Sequence, residues 1–322
     1  MKKRVAVVGS REYGDMGLVR KFVRNLARTQ PEAIVVSGGA RGVDRTAEEE
    51  ARACGLEVVS IRADWDTYGK RAGFLRNGTI VERSDVVVAF WDGESRGTID
   101  TATKAAEAGK GLVVYGPSGR MRGGLKGMKL HLLDTQRVQG CTKCPLAKTR
   151  TNTVFGEGDP DARLAFVGEA PGRDEDAQGR PFVGRAGKLL DKMIGAMGLK
   201  REDVWICNTL KCRPPNNRTP EESEIRACSP YLGEQLGIIG PDVVVALGAP
   251  AAQTILGTDE RIGRLRGRFH DFRISGTERT IPLMPTYHPA YLLRSPGEQP
   301  KVADDLKMVM ERLGLCGPLS QR

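Results

Sequence analysis

Cys141 and Cys144 form a tight C-x-x-C pair, and Cys212 and Cys228 follow far downstream. Four thiolates split into a close pair and two distant members suit a metal ion, with zinc the simple case, or an iron–sulfur cluster. Either occupant obliges three separated segments to meet at one point, so any fold must satisfy that closure. Seven cysteines, an odd number, argue against a disulfide framework. The start Met1-Lys2-Lys3-Arg4 runs directly into an apolar strand and lacks the form of a secretory signal. A reducing cytoplasm is the expected setting. Cys207 lies mid-strand and reads as core, while Cys54 and Cys316 have no motif around them.

Short continuous apolar runs alternate with helical periods along the whole chain. In the first part strands are expected at 4–9, 33–37, 56–61, 85–90 and 111–115, with helices at 17–28 and 43–54. In the second, strands are expected at 163–168, 204–208, 242–247 and 281–287, with helices at 187–197, 220–236 and 301–313 and one opening at Gly248-Ala249-Pro250. Such alternation predicts an α/β fold: two three-layer α/β/α units, each with a parallel sheet covered on both faces. A glycine-rich basic stretch, Gly116-Pro117-Ser118-Gly119-Arg120-Met121-Arg122-Gly123-Gly124, has linker composition. The expected organisation is therefore 1–118, a linker at 119–133, and 134–322. No apolar run is long enough to span a bilayer, and no membrane partner is expected.

The net charge of +10 hints at a polyanionic partner. Residues 1–118 carry 19 basic and 16 acidic side chains, leaving 31 and 24 for the remainder, which therefore holds most of the excess. Arg261, Arg264, Arg266 and Arg268 crowd one short stretch there.

Residues 134 to about 314 carry an ordered series of motifs. They are Cys141-x-x-Cys144-Pro145-Leu146, Phe155-Gly156-Glu157-Gly158, Gly168-Glu169-Ala170-Pro171-Gly172, and Gly179-Arg180-Pro181-Phe182-Val183-Gly184. Asn208-Thr209-Leu210-Lys211-Cys212-Arg213-Pro214-Pro215 and His288-Pro289-Ala290-Tyr291 complete the series. Together they resemble the family-four, iron–sulfur uracil-DNA glycosylases. The resemblance implies a [4Fe–4S] cluster on Cys141, Cys144, Cys212 and Cys228, and a substrate of uracil-containing DNA, single- or double-stranded. It implies Glu169 as the carboxylate that holds the attacking water, with Glu175 a second acidic candidate.

Residue chemistry supplies the rest of that pocket. Breaking the bond between deoxyribose C1′ and uracil N1 needs an extruded base, donors for the departing anion and a positioned water. Gly172 lets backbone approach the base closely. Phe182 offers a stacking face, and the amide of Asn208 complements uracil O4 and N3–H while mismatching cytosine. His288, past the last strand, is the expected donor to uracil O2. Arg264, Leu265, Arg266 and Arg268 resemble the segment that reaches DNA, with Leu265 either a wedge into the stack or, as the commoner case, packed under the loop. The loop after Asn208 has neither the histidine nor the insertion of the subgroup that links covalently to the sugar, so a monofunctional glycosylase leaving an abasic site is expected.

Residues 3–116 resemble the SLOG superfamily of Rossmann-like domains. The resemblance is carried by Gly9-Ser10-Arg11, Ser37-Gly38-Gly39-Ala40-Arg41-Gly42, Ala72-Gly73-Phe74-Leu75-Arg76-Asn77 and Gly97-Thr98. Glycines after strands and amides at helix starts predict a nucleotide-type, phosphate-bearing ligand held by Gly9, Ser10, Arg11, Gly38, Gly39, Arg41, Arg76, Gly97 and Thr98. The stretch Glu94-Ser95-Arg96-Gly97-Thr98-Ile99-Asp100 departs from the hydrolase relatives' pattern, which favours binding over hydrolysis. A competing reading is a nucleotide-sensing, DNA-binding regulator without turnover. Such a module has no need of Glu169, Asn208 and His288 together.

Overall fold

The computed structural model describes residues 2–274, 278–317 and 319, and divides into two compact units, Met1–Leu132 and Leu133–Arg322. The first holds strands β1 (Arg4–Gly9), β2 (Ile34–Ser37), β3 (Glu57–Ser60), β4 (Val86–Phe90), β5 (Gly111–Gly116) and β6 (Gly119–Arg120). They form one sheet in the order β3-β2-β1-β4-β5-β6, parallel except for β6. Strand alternation sorts the side chains to two faces. Val5, Val7, Val35, Val88 and Phe90 enter one core cluster with Val19 and Val23 of the helix Met16–Thr29 and Ala47 of the helix Val43–Ala53. Ala6, Val8, Val36, Val87 and Ala89 enter the other with Ile80 of the helix Ala72–Glu82 and Ala102 of the helix Arg96–Glu107. The continuous apolar runs are the signature of strands buried on both sides.

The second unit holds β7 (Glu157–Gly158), β8 (Leu164–Gly168), β9 (Trp205–Asn208), β10 (Val243–Leu247), β11 (His270–Arg273) and β12 (Thr280–Thr286), in the order β11-β12-β10-β8-β9-β7. The four central strands are parallel; the edges β7 and β11 are antiparallel. Phe166, Ile206, Val245 and Met284 pack with Leu190 of the helix Arg185–Ala196 and Leu306 of the helix Gln299–Leu313. From β8 the chain moves to β9 on one side and returns to β10 on the other. That reversal opens a crevice beyond the carboxyl ends of β8 and β10, where open α/β sheets place ligands.

The expected linker at 119–133 is instead structured. Gly119 takes a φ of 111° to turn β5 back into β6, and Gly124–Leu133 is a helix whose Met128 belongs to the core of the first unit. Glycine content there serves a hairpin turn, and the apolar spacing of Leu125, Met128 and Leu132 is the helical signal that the composition masks. Among the described residues no helix is long and apolar enough to cross a membrane.

Candidate active site

One cavity of about 270 Å³ at the carboxyl edge of the second sheet is lined by Glu169, Gly172, Glu175, Phe182, Asn208 and His288. These residues come from separate loops: Glu169 follows β8, Asn208 ends β9, and His288 lies two residues past β12. Pro214, Asn217 and Arg218 line it as well, and sequence reasoning gives them no role. Their only signal is position, in the loop that leaves the Asn208 strand. Arg218 is held there by two hydrogen bonds to the buried Glu224, at 2.6 and 2.9 Å.

Asn208 is only 2 % exposed, yet among the described residues nothing hydrogen-bonds its side-chain amide. Buried amides are nearly always satisfied, so an unspent one facing a cavity is set aside for a ligand. Its backbone carbonyl accepts from Nζ of Lys211 at 2.8 Å, and Nζ also donates to Oε1 of Gln235 at 2.5 Å. Gln235 in turn donates to the carbonyl of Phe155 at 2.9 Å. A fully buried ammonium thus fixes the strand end that presents the amide.

Phe182 has a φ of 49°, a strained left-handed backbone that non-glycine residues rarely adopt. Its ring lies 5.7 Å from that of His288, tilted by 31°. The turn is clamped from outside. Arg201 donates to the carbonyl of Pro181 at 2.5 Å, and Arg180 and Arg201 both bind Glu157 at 2.8 Å. Glu175 secures the other flank: its Oε1 accepts from the amides of Val183 and Gly184 at 2.9 and 3.0 Å. One oxygen of that carboxylate is therefore spent on the loop, while Glu175 also lines the cavity, as a second acidic candidate would.

Glu169 differs. Its backbone carbonyl accepts from the amide of Leu210 at 3.0 Å and from Oγ1 of Thr209 at 2.6 Å, whereas among the described residues nothing pairs with its carboxylate. Burial alone pushes that carboxyl above its ordinary range. His288 caps the helix Pro289–Arg294 by accepting at Nδ1 from the amide of Ala290, at 3.0 Å. Burial, reinforced by the charge of Arg294, lowers its pKa to about 4. Near neutral pH the ring is uncharged, Nδ1 is the acceptor, and Nε2 carries the proton.

The four cysteines Cys141, Cys144, Cys212 and Cys228 line one small cavity, ringed by donors. Nη1 of Arg150 reaches Sγ of Cys212 at 3.2 Å, the hydroxyl of Tyr231 reaches Sγ of Cys141 at 3.3 Å, and the amide of Lys211 reaches Sγ of Cys228 at 3.2 Å. The donors on Cys212 and Cys228 favour the thiolate, the form that binds metal, but burial outweighs them and raises both thiols.

The basic segment departs from expectation. Leu265 is 2 % exposed and its carbonyl binds Nε2 of His270 at 2.8 Å, so this side chain is core and presents no wedge. Arg266 pairs with the buried Asp305 at 2.7 and 3.1 Å and lies over the ring of Tyr287 at 5.5 Å. Asp305 also accepts from Oγ1 of Thr286 at 2.6 Å. Arg266 therefore braces the strand end beside His288. Arg264 and Arg268 are exposed, and among the described residues they make no ion pair.

In the first unit a cavity of about 340 Å³ is lined by Gly9, Arg11, Asp44, Arg76, Gly97 and Thr98 among others. Ser10, Gly38, Gly39 and Arg41, expected at this site, do not line it. A Cβ at Gly38 would fall 2.2 Å from Nη1 of Arg76, so glycine there makes room for an arginine. Arg41 pairs with Glu12 at 2.5 Å on the surface. Asp44 accepts from the amides of Gly9 and Ala40 at 3.1 and 3.4 Å, and burial raises its pKa to about 6.

Residues 155–313 match the model of the uracil DNA glycosylase superfamily, and residues 3–68 that of the YspA, cpYpsA-related SLOG family. The type-4 uracil-DNA glycosylase of Thermotoga maritima is 52% identical over 162 residues, covering 50% of this chain and 82% of that protein. That of Saccharolobus solfataricus is 46% identical over 186 residues, covering 56% and 85%. DNA processing protein A of Helicobacter pylori aligns with 35% of this chain and 65% of its own, at 26% identity and a TM-score of 0.30. On the strength of these relatives, the chain is an enzyme that excises uracil from DNA and belongs to the type-4 uracil-DNA glycosylases.

Proposed function

We propose a division of labour among the residues of the uracil pocket. The observation that carries it is the meeting of Glu169, Phe182, Asn208 and His288, from separate loops, around one cavity of about 270 Å³. An extruded uracil stacks on Phe182, and the Asn208 amide reads O4 and N3–H. The neutral His288 donates from Nε2 to O2. Glu169 holds a water against C1′. As the C1′–N1 bond breaks, the electron pair leaves on the base and is stabilised at O2 by the imidazole donor. The water oxygen bonds to C1′, and its proton passes to Glu169 and on to solvent. Glu175, tied to two loop amides, positions Phe182. Cytosine would leave the Asn208 amide mismatched, and sites built this way reject such analogues by roughly 10⁴–10⁵. The arginines suited to phosphate contact are Arg264 and Arg268, because Arg266 is committed to Asp305.

Cys141, Cys144, Cys212 and Cys228 would hold a [4Fe–4S] cluster. All four cysteines face one small cavity, and the similarity to the type-4 glycosylases supports iron and sulfide over zinc as its occupant. When bound, the cluster supplies a cross-link between the segment at Cys141, the loop after β9 that carries Cys212 and the helix Glu222–Ile239 that carries Cys228. The first unit would bind a phosphate-bearing nucleotide, supported by its cavity beyond β1 and β4, where the strand order of that sheet reverses.

The test is alkali cleavage of a uracil-containing oligonucleotide by the full chain and by Asn208→Ala. Excision by the native chain, with a loss of at least about a hundredfold in the variant, is expected. Undiminished excision by Asn208→Ala would remove the edge-reading role. Iron and sulfide analysis should return about four of each per chain.

A further inference from the structure

Five large apolar side chains are exposed among the described residues, and four of them fall in one short segment of the first unit. Trp65 is 55 % exposed, Tyr68 53 % and Phe74 51 %, with Leu75 beside them. The segment is well built. Asp64 caps the helix Trp65–Tyr68 by accepting from the amide of Thr67 at 3.0 Å, and Gly69, with a φ of 49°, ends it. The rings therefore stand on ordered backbone with half of their surface bare. A monomeric protein seldom leaves that much aromatic surface uncovered without a use for it.

The surroundings say what covers it. Tyr68, Phe74 and Leu75 line a groove of about 740 Å³ together with Arg62, Arg71 and Lys104. Trp65 and Phe74 also line the nucleotide cavity, with Lys70 and Arg76. Arg62, Lys70 and Arg71 make no ion pair among the described residues, and the groove's cations Arg62, Arg71, Arg76 and Lys104 outnumber its acids, the helix-capping Asp64 and Glu82. Unpaired cations interleaved with bare rings match a single nucleic-acid strand, in which successive bases stack on aromatic faces while phosphates follow the basic groups. A folded protein partner would more often meet a patch depleted in charge.

We infer that the first unit binds single-stranded DNA, with one nucleotide in the cavity and its neighbours stacked along Trp65, Tyr68 and Phe74. This rests on the nucleotide reading of that cavity and extends its ligand from a monomer to a strand. The second unit's substrate makes DNA the strand of choice.

Full-length protein can test it directly, because Trp91 and Trp205 are buried and Trp65 is the exposed tryptophan of the three. A uracil-free oligothymidine of about twelve nucleotides should quench the tryptophan emission, and the Trp65→Phe protein should lose the quench while keeping affinity by anisotropy. The triple change Trp65→Ala, Tyr68→Ala, Phe74→Ala should weaken that affinity at least about tenfold. Arg62→Glu with Arg71→Glu should flatten the slope of log affinity against log salt by about 0.7 for each phosphate that is no longer neutralised. Excision from a short uracil oligonucleotide should stay unchanged in all of them. Affinity unmoved by the triple change overturns the proposal. Quenching by thymidine monophosphate but not by the oligonucleotide overturns it too, while sparing the nucleotide reading. Quenching by neither removes both. Loss of self-association in the triple variant, with DNA affinity intact, would assign the face to a second copy of the chain instead.

Discussion

Nδ1 of His288 accepts a hydrogen bond from the amide of Ala290 at 3.0 Å, so the backbone itself fixes which imidazole nitrogen carries the proton. On the proposed mechanism the neutral ring is the working form, and protonation waits until about pH 4. His288→Ala should lower the single-turnover rate by about 10²–10³, the usual cost of one lost donor to a developing oxyanion. The native rate between pH 5 and 7 should show no step from this group. Stability behaves differently: unfolded histidine takes a proton near pH 6.5 and the folded ring does not. The unfolded state then binds more protons, and stability declines as pH falls from about 6.5 towards 4. Denaturant melts across that window, compared with His288→Ala, would measure it.

Glu169 should own the acid limb of the rate profile. Burial raises its pKa and the carboxylate is the active form, so excision falls as pH drops through the raised value. Glu169→Gln should be slower by about 10²–10⁴ at neutral pH and should show no such limb. A limb that survives in the variant would move the water-holding role elsewhere.

Gly168→Ala should close the pocket without unfolding the sheet. A Cβ there would lie 2.4 Å from Oδ1 of Asn208 and 2.5 Å from Cζ of Phe182. Both reading groups must give way, and excision should fall at least about a hundredfold while circular dichroism stays native. Wild-type turnover from Gly168→Ala would mean that neither group needs its observed position.

Lys211→Met should damage both stability and base selection. It leaves the Asn208 carbonyl and Oε1 of Gln235 without their shared donor inside the protein. Two buried acceptors left unpaired cost about 2–4 kcal/mol together. Urea melts would show the first effect, and the ratio of uracil to cytosine excision the second.

Much of this is legible in sequence because parallel strands buried on both faces read as continuous apolar runs; Val243–Leu247 is an example. Asn208 and His288 are readable because polar residues at strand ends need a reason to be there. The misreadings share one cause, that composition does not report pairing. Arg266 is one of four nearby arginines, but only the fold reveals that Asp305 occupies it. Leu265 could be read as wedge or as packing, and its burial selects the packing. In the first unit, Gly38 reads as a ligand-binding glycine, whereas the structure uses its missing Cβ to seat Arg76. The stretch after Gly116 matches a linker by composition, and its helix is hidden by glycines at the turn before it.

The order in which the strands leave the ribosome has a consequence for the cell. Glu169 and Asn208 are synthesised well before β12, and His288 arrives only after that strand has been made. A chain that stops short of β12 lacks both Met284, a core residue of the second unit, and the histidine proposed to let the base depart. The full rate of excision therefore awaits a chain made through β12, which joins the sheet between β10 and β11.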